Sequence, residues 1–352
     1  RIIELAKSGA QVIVLGGLPE NISGFQGLDQ KSAVFASIKS ELDFRQTNDI
    51  MLALTGKGRV IMGNDLQKLL DYAGIRRETM ADSNISFMRR LNGNETIYFI
   101  KNQSKEPFTG WLPLNAQSLT AGLFNPMTGS LGLAARRESQ EGKTEVYARI
   151  LPGETFIVKL SGKTIQGTNY MLYDEVKQKM PVNGEWTLKF NQGGPVLPSE
   201  RKLGDLISWT ETGGEDVKNF SGTATYKTIF SKPSFRSDAY LIDLGKVACS
   251  ARVILNGAEI ATLIGPDFSV TVDKKLIKKT NILEVKVSNL MANRIAWMDK
   301  NKIEWKKFYN INFAARLREN NKNGIFDASE WKPMESGLMG PVTISALNLH
   351  KF

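Results

Sequence analysis

The chain has 352 residues, 41% of them apolar and 23% charged, with a formal charge of +10, one cysteine and one histidine. That length allows two or three domains with cores of their own, and no apolar run is long enough to span a bilayer as a helix, so no membrane partner is expected. A single Cys249 excludes an internal disulfide and a thiolate metal cluster, while a single His350, two residues from the end, removes Ser-His-Asp, Cys-His and most zinc chemistry.

Residues 1–78 read as a partial α/β, Rossmann-like domain. Ile2, Ile3, Leu5 and Ala6 belong to a helix ending at Gly9, and its abrupt start, without Met, signal segment or preceding strand, reads as a cut end. QVIVLGG and GRVIMG are short, mostly apolar runs of the kind found in parallel strands covered on both faces. Asn64 is the expected N-cap of a helix that carries Leu66, Leu69, Leu70 and Ala73 on one side and stops at Gly74. The glycines of GGLPENISG lead into no evident helix, so they read as turns rather than as a phosphate cradle.

Over residues 79–165 the period changes to two. ISFMRRL and ETIYFIKNQ flank Asn92-Gly93, a hairpin signal, and TEVYARI and ETFIVKL flank the turn dipeptide Pro152-Gly153. About five short strands make a small β-sandwich, for which a spacer role is the simplest reading.

Residues 166–352 continue the alternation after a polar linker at Gly162 to Thr168. Phe220, Ala224 and Tyr226 alternate with Ser221, Thr223 and Thr225, ARVIL and ILEVKVSNL alternate too, and Asn256-Gly257 supplies the two positive-φ positions of a type I′ turn. Trp186 and Trp209 fall in or near these runs and are expected in the core, and Cys249 is expected there as a small hydrophobe. Lysine groups at Lys274 to Thr280 and Lys300 to Lys307 read as defended strand edges, and with no recognition motif beside them no nucleic acid is expected.

The order FSGTATY, DLGKV, a strand ending in LNG, FSVTVDKKL, NILEVKVSN and Asn293-Arg294 resembles the galactose-binding-like jelly-roll, the sugar-binding domain type of glycoside hydrolase family 2. With GKGRVIMGNDLQKLLDYAGI, LFNPMTG and SGLMGPV, the chain is similar along nearly its whole length to the C-terminal part of glycoside hydrolase family 106, the α-L-rhamnosidases. The resemblance implies a mainly β chain with an N-terminal α/β segment, a β-sandwich and a galactose-binding-like jelly-roll. In that family the acid and base lie on a barrel preceding the α/β segment, so it implies a catalytic domain elsewhere in the protein, no catalytic residue here, a rhamnose-containing glycan as partner, and a periplasmic or extracellular location. The family pattern has Gly-Asp after the Asn-Arg pair, where this chain runs IAWMDK.

Two stretches offer ligand chemistry. Asn293, Arg294, Trp297 and Trp305 follow the last regular strand in what reads as irregular sequence, and hydrogen-bonding groups beside aromatic surface suit a polyol with an apolar face. Glu319, Asn321, Asn323, Asp327 and Glu330 take positions 1, 3, 5, 9 and 12 of a calcium loop with Gly324 at the turn, although position 1 is Glu, flanking helices are lacking and a plain polar hairpin fits as well. The expected function is a non-catalytic, carbohydrate-contacting region of a polysaccharide-degrading glycoside hydrolase. The alternatives are a self-standing carbohydrate-binding or adhesion module and an enzyme complete within these residues.

Overall fold

The structure, a computed structural model, describes residues 1–265, 267–305 and 317–352. The chain divides into two units, Arg1–Asn169 and Tyr170–Phe352. It is mostly β, with a small α/β segment at the start.

The first unit opens with a four-stranded sheet in the order Gln11–Leu15, Gly58–Gly63, Ile50–Thr55, Arg45–Thr47. Only the first pair is parallel; the other two strands extend it antiparallel, a hairpin that the apolar run MLALT had not marked out in the sequence. Both faces are covered. Val60, Ala53 and Val12 pack with Ala6 of the Ile2–Lys7 helix, while Ile61, Ile50 and Ile13 pack with Leu69 and Ala73 at the Leu66–Tyr72 helix. Gly58 permits the first of these contacts, because a Cβ there would fall 2.2 Å from the Ala10 carbonyl oxygen. The second helix is capped by Asp65, not Asn64: the Asp65 carboxylate accepts the N–H groups of Gln67 and Lys68. A further helix, Leu28–Ser40, follows the glycine-rich stretch where none was expected. It contains no buried residue, so the apolar stripe by which sequence reveals a helix is weak.

The sandwich that follows has eight strands among the described residues where about five were expected. Ile85–Asn92, Glu95–Asn102, Thr155–Ser161, Thr120–Phe124 and Leu131–Leu133 form one sheet, and Arg136–Glu138, Thr144–Ile150 and Phe108–Leu114 the other. Phe108–Leu114 hides its signal behind Gly110 and Pro113. The first hairpin turns on Gly93-Asn94, one residue later than expected, since Asn92 still pairs with Glu95. Pro152-Gly153 carries the chain from one sheet to the other. Glu78 ties the sandwich together: one oxygen accepts from Arg89 at 2.8 Å and Tyr98 at 2.9 Å, and the other from the Asn115 N–H at 2.8 Å. Burial, with the Glu78 charge beside it, drives the Tyr98 phenol well above its ordinary range.

The second unit is a jelly-roll of two main sheets. Four strands run in the order Tyr173–Pro181, Thr343–Leu349, Ala239–Asp243, Ser269–Asp273, and six in the order Arg201–Leu203, Trp186–Gly194, Ser221–Ser231, Thr280–Ser288, Ser250–Leu255, Ala258–Ile264. Trp186 and Trp209 are buried as expected, and Phe190, Trp209 and Phe220 meet edge to face with centroids 5.0–5.8 Å apart. Asn256 and Gly257 form the expected turn, with φ of 53° and 86°. Cys249 departs from expectation: it lies in the link between Lys246–Ala248 and Ser250–Leu255 and is exposed, because the inward positions flanking it belong to other residues.

Candidate functional site

The segment from Asn289 to Trp305 is not irregular. Ala292–Lys300 is an α-helix, closed at its end by Asn301, whose side-chain N–H donates to the Trp297 carbonyl at 2.7 Å. Asn293 is buried and faces inward: its oxygen accepts the Met334 N–H at 2.7 Å, and its nitrogen donates to the Met334 carbonyl at 3.0 Å and to Ser336 Oγ at 3.3 Å. Ser336 Oγ also accepts from Asn289 at 2.9 Å, and the Ser336 N–H donates to Ser208 Oγ at 2.9 Å. Asn293 therefore belongs to a polar knot inside the unit rather than to a ligand surface.

Trp305 is likewise engaged. Its indole N–H donates to Asp299 at 2.7 Å, and its ring meets Phe326, which in turn meets Trp331. The structure thus does not gather the four residues into one platform. Arg294 and Trp297, three apart on the helix and half-buried, remain neighbours on its surface. The Arg294 guanidinium lies over Gly194, where a Cβ would come within 2.8 Å of it, and its Nε has no hydrogen-bond partner among the described residues.

The stretch from Glu319 to Glu330 is a two-stranded hairpin, Asn321–Lys322 with Ile325–Phe326, turning on Asn323-Gly324. The expected calcium ligands do not converge. The Asn321 oxygen accepts the Gly324 N–H, Asp327 accepts from the backbone and hydroxyl of Ser329, and the Lys322 ammonium lies 3.5 Å from Asp327 and 3.4 Å from Glu330. A lysine thus stands beside the carboxylates that a metal would need, and no group of three or more metal-ligating acidic, His or Cys side chains exists among the described residues. The Ser329 hydroxyl, then its N–H and the Lys322 charge, hold the Asp327 carboxyl below its usual range against a smaller opposing effect of burial.

A site that sequence reasoning passed over lies on the outward face of the six-stranded sheet. Inward positions there are apolar, and the pleat sends every second residue outward. One cross-strand row reads Gln192, Thr223, Ser288, Ser250; the next reads Lys189, Thr225, Lys286, Arg252, Thr262. A β-bulge between Phe190 and Gln192 turns Asn191 outward as well, so two consecutive amides reach the same face. Asn191, Gln192, Thr223, Ser288, Ser250, Lys286, Arg252 and Thr262 of these rows line a cleft of about 440 Å³. Thr223 and Ser288 share a hydroxyl hydrogen bond of 2.7 Å, and Thr225 donates to Asn191 at 2.6 Å. One step beyond Thr223 on its strand, Ser221 is covered by the Ala292–Lys300 helix, where it accepts the Arg294 N–H at 3.2 Å. The helix closes that end of the face. Alternating Thr, Ser and Lys read in sequence as a solvated strand face; only the register, which sequence does not supply, sets them in rows around a hollow.

No protein-family model matches this chain. Over 244 residues, 64% of the chain, it is 32% identical to a protein of Formosa agariphila provisionally named a β-glucuronidase, and it covers 20% of that protein. In fold, 98% of the chain matches a solved rhamnosidase from Novosphingobium sp. PP1Y with a TM-score of 0.71 and 22% identity, covering 32% of that structure. The chain is thus similar to parts of glycoside hydrolases, and it spans between a fifth and a third of the length of these two proteins.

Proposed function

We propose that the chain is a non-catalytic, C-terminal region of a polysaccharide-degrading glycoside hydrolase resembling the α-L-rhamnosidases. It supports a catalytic barrel elsewhere in the same periplasmic or extracellular protein and contacts carbohydrate through the cleft on the six-stranded sheet. The observation that carries this reading is that nearly all of the chain shares its fold with about a third of a rhamnosidase. The cleft adds the binding role: hydroxyls and amides with both donor and acceptor capacity suit sugar hydroxyls. Purified alone, the 352-residue chain is expected not to hydrolyse aryl α-L-rhamnosides, whereas protein expressed with the upstream coding sequence does. Turnover by the chain alone that disappears on mutating one of its own carboxylates overturns the reading. Titration with rhamnose-containing oligosaccharides locates the contact: Thr223→Val weakens it if the cleft is the site, and Arg294→Ala or Trp297→Ala if the helix surface is. The separate-module reading draws support from the cleft lying wholly within Tyr170–Phe352, and a gene without barrel-sized upstream sequence would favour it.

A further inference from the structure

The register of the six-stranded sheet sets Lys286 directly opposite Arg252, with both side chains on the cleft face. Like charges so placed destabilise a sheet. Elsewhere on the same face charges are paired: in the adjoining row Lys227 meets Glu284 at 3.2 Å. Arg252 has an ion-pair partner in Glu259, at 3.4 Å from its Nε, and Lys286 has no ion pair among the described residues. Lys189 lies in the same row, again with no ion pair among the described residues. Of the two opposed cations that line the cleft, Arg252 is met by Glu259 and Lys286 by no acid among the described residues, and such a local departure from the rules of pairing is where function is to be sought.

We infer that the occupant of the cleft is an acidic glycan segment, whose sugar carboxylates meet Lys286 and Arg252 while its hydroxyls meet the row of Thr223, Ser288 and Ser250. This rests on the carbohydrate role proposed above and specifies its ligand. A guanidinium fork matches a carboxylate in two parallel hydrogen bonds, and Arg252 already has a carboxylate, that of Glu259, beside its Nε. The hollow has the size of a small-ligand site. A nucleic acid is disfavoured because, among the described residues, no aromatic side chain lines the cleft for bases to stack on.

The test is calorimetric titration of the full chain with four probes: an oligogalacturonate, its methyl ester, a sulfated neutral oligosaccharide and a single-stranded oligonucleotide. The oligogalacturonate is expected to bind at least about tenfold more tightly than its ester. The difference should narrow as salt is raised and vanish in Lys286→Gln and in Arg252→Gln. Lys286→Gln should melt no lower than the parent, since it relieves a repulsion, so lost binding there is not lost folding. Equal binding of acid and ester overturns the inference and leaves the carbohydrate role standing. Binding of neither overturns both. Equal or tighter binding of the sulfated sugar or the oligonucleotide means that the cleft takes polyanions without regard to the carboxylate, which overturns the inference too.

Discussion

Replacing Asn293 by Ala separates a structural from a ligand role at the residue that sequence placed in a sugar site. In the parent, the Asn293 amide makes three hydrogen bonds to Met334 and Ser336. The losses are unequal. The Met334 carbonyl keeps the Ser336 hydroxyl as donor at 3.0 Å, and Ser336 Oγ keeps Asn289 at 2.9 Å, so the group left without a partner is the Met334 N–H. An orphaned N–H costs about 1–3 kcal/mol when fully buried and less at the part-buried Met334, and the surrendered net bond about 1 kcal/mol, so a total of at most about 2–3 kcal/mol is expected. For a unit of this size that is a fall in melting temperature of roughly 4–12 °C. Intrinsic fluorescence is the natural probe, because five of the six tryptophans belong to Tyr170–Phe352. The ligand affinity of the folded variant should be unchanged. An unaltered melting temperature with weakened sugar binding would refute the reasoning.

Gly337→Ala should be worse still, because at φ of 100° its Cβ would fall 2.1 Å from Tyr226 Oη and 2.9 Å from Trp209 Cε3; the expected outcome is insoluble protein or a melting temperature below that of Asn293→Ala, by thermal scan. Asp327, with its folded pKa depressed, contributes stability that is present above the unfolded carboxylate value, near ~3.9, and is lost as pH falls through the folded one. The stability difference between parent and Asp327→Asn, from urea titrations, should therefore be flat near neutrality and shrink in acid. Calcium should not raise the melting temperature of the parent, since Lys322 stands beside Asp327 and Glu330; a calcium-dependent rise, suppressed in Glu319→Gln, would restore the calcium loop.

The strands of the jelly-roll were legible because their alternation is strict and their turn carries Asn256-Gly257, which only a positive-φ pair satisfies. Less legible were elements whose signal is not periodic: the Leu28–Ser40 helix buries nothing, and Ala292–Lys300 begins without a side-chain cap. The short stretches behind the family resemblance acquire a physical reason. Asn289 of the VSNL run and Asn293 of the Asn-Arg pair, close neighbours in sequence, meet Ser336 of SGLMGPV, 47 and 43 residues further on, in one knot of hydrogen bonds. Their common signature is architectural. The cleft, by contrast, was hidden because its residues are ordinary strand-face residues, and its identity lies in which neighbours the register gives them.

The bulge at Asn191 makes the chain tolerant of a change in length. Removing one residue from the middle of a strand ordinarily reverses the facing of everything on one side of the gap. Here Asn191 is the surplus residue: Phe190 already pairs with Ala224 and Gln192 with Thr223, adjacent positions on the neighbouring strand. Deleting Asn191 would restore an unbroken ladder, with Trp186, Leu188 and Phe190 still inside and Gln192 still outside. The cleft would lose one amide and the core nothing. Insertion and deletion at that point thus offer natural variation a way to reshape the rim of the cleft without repacking the domain.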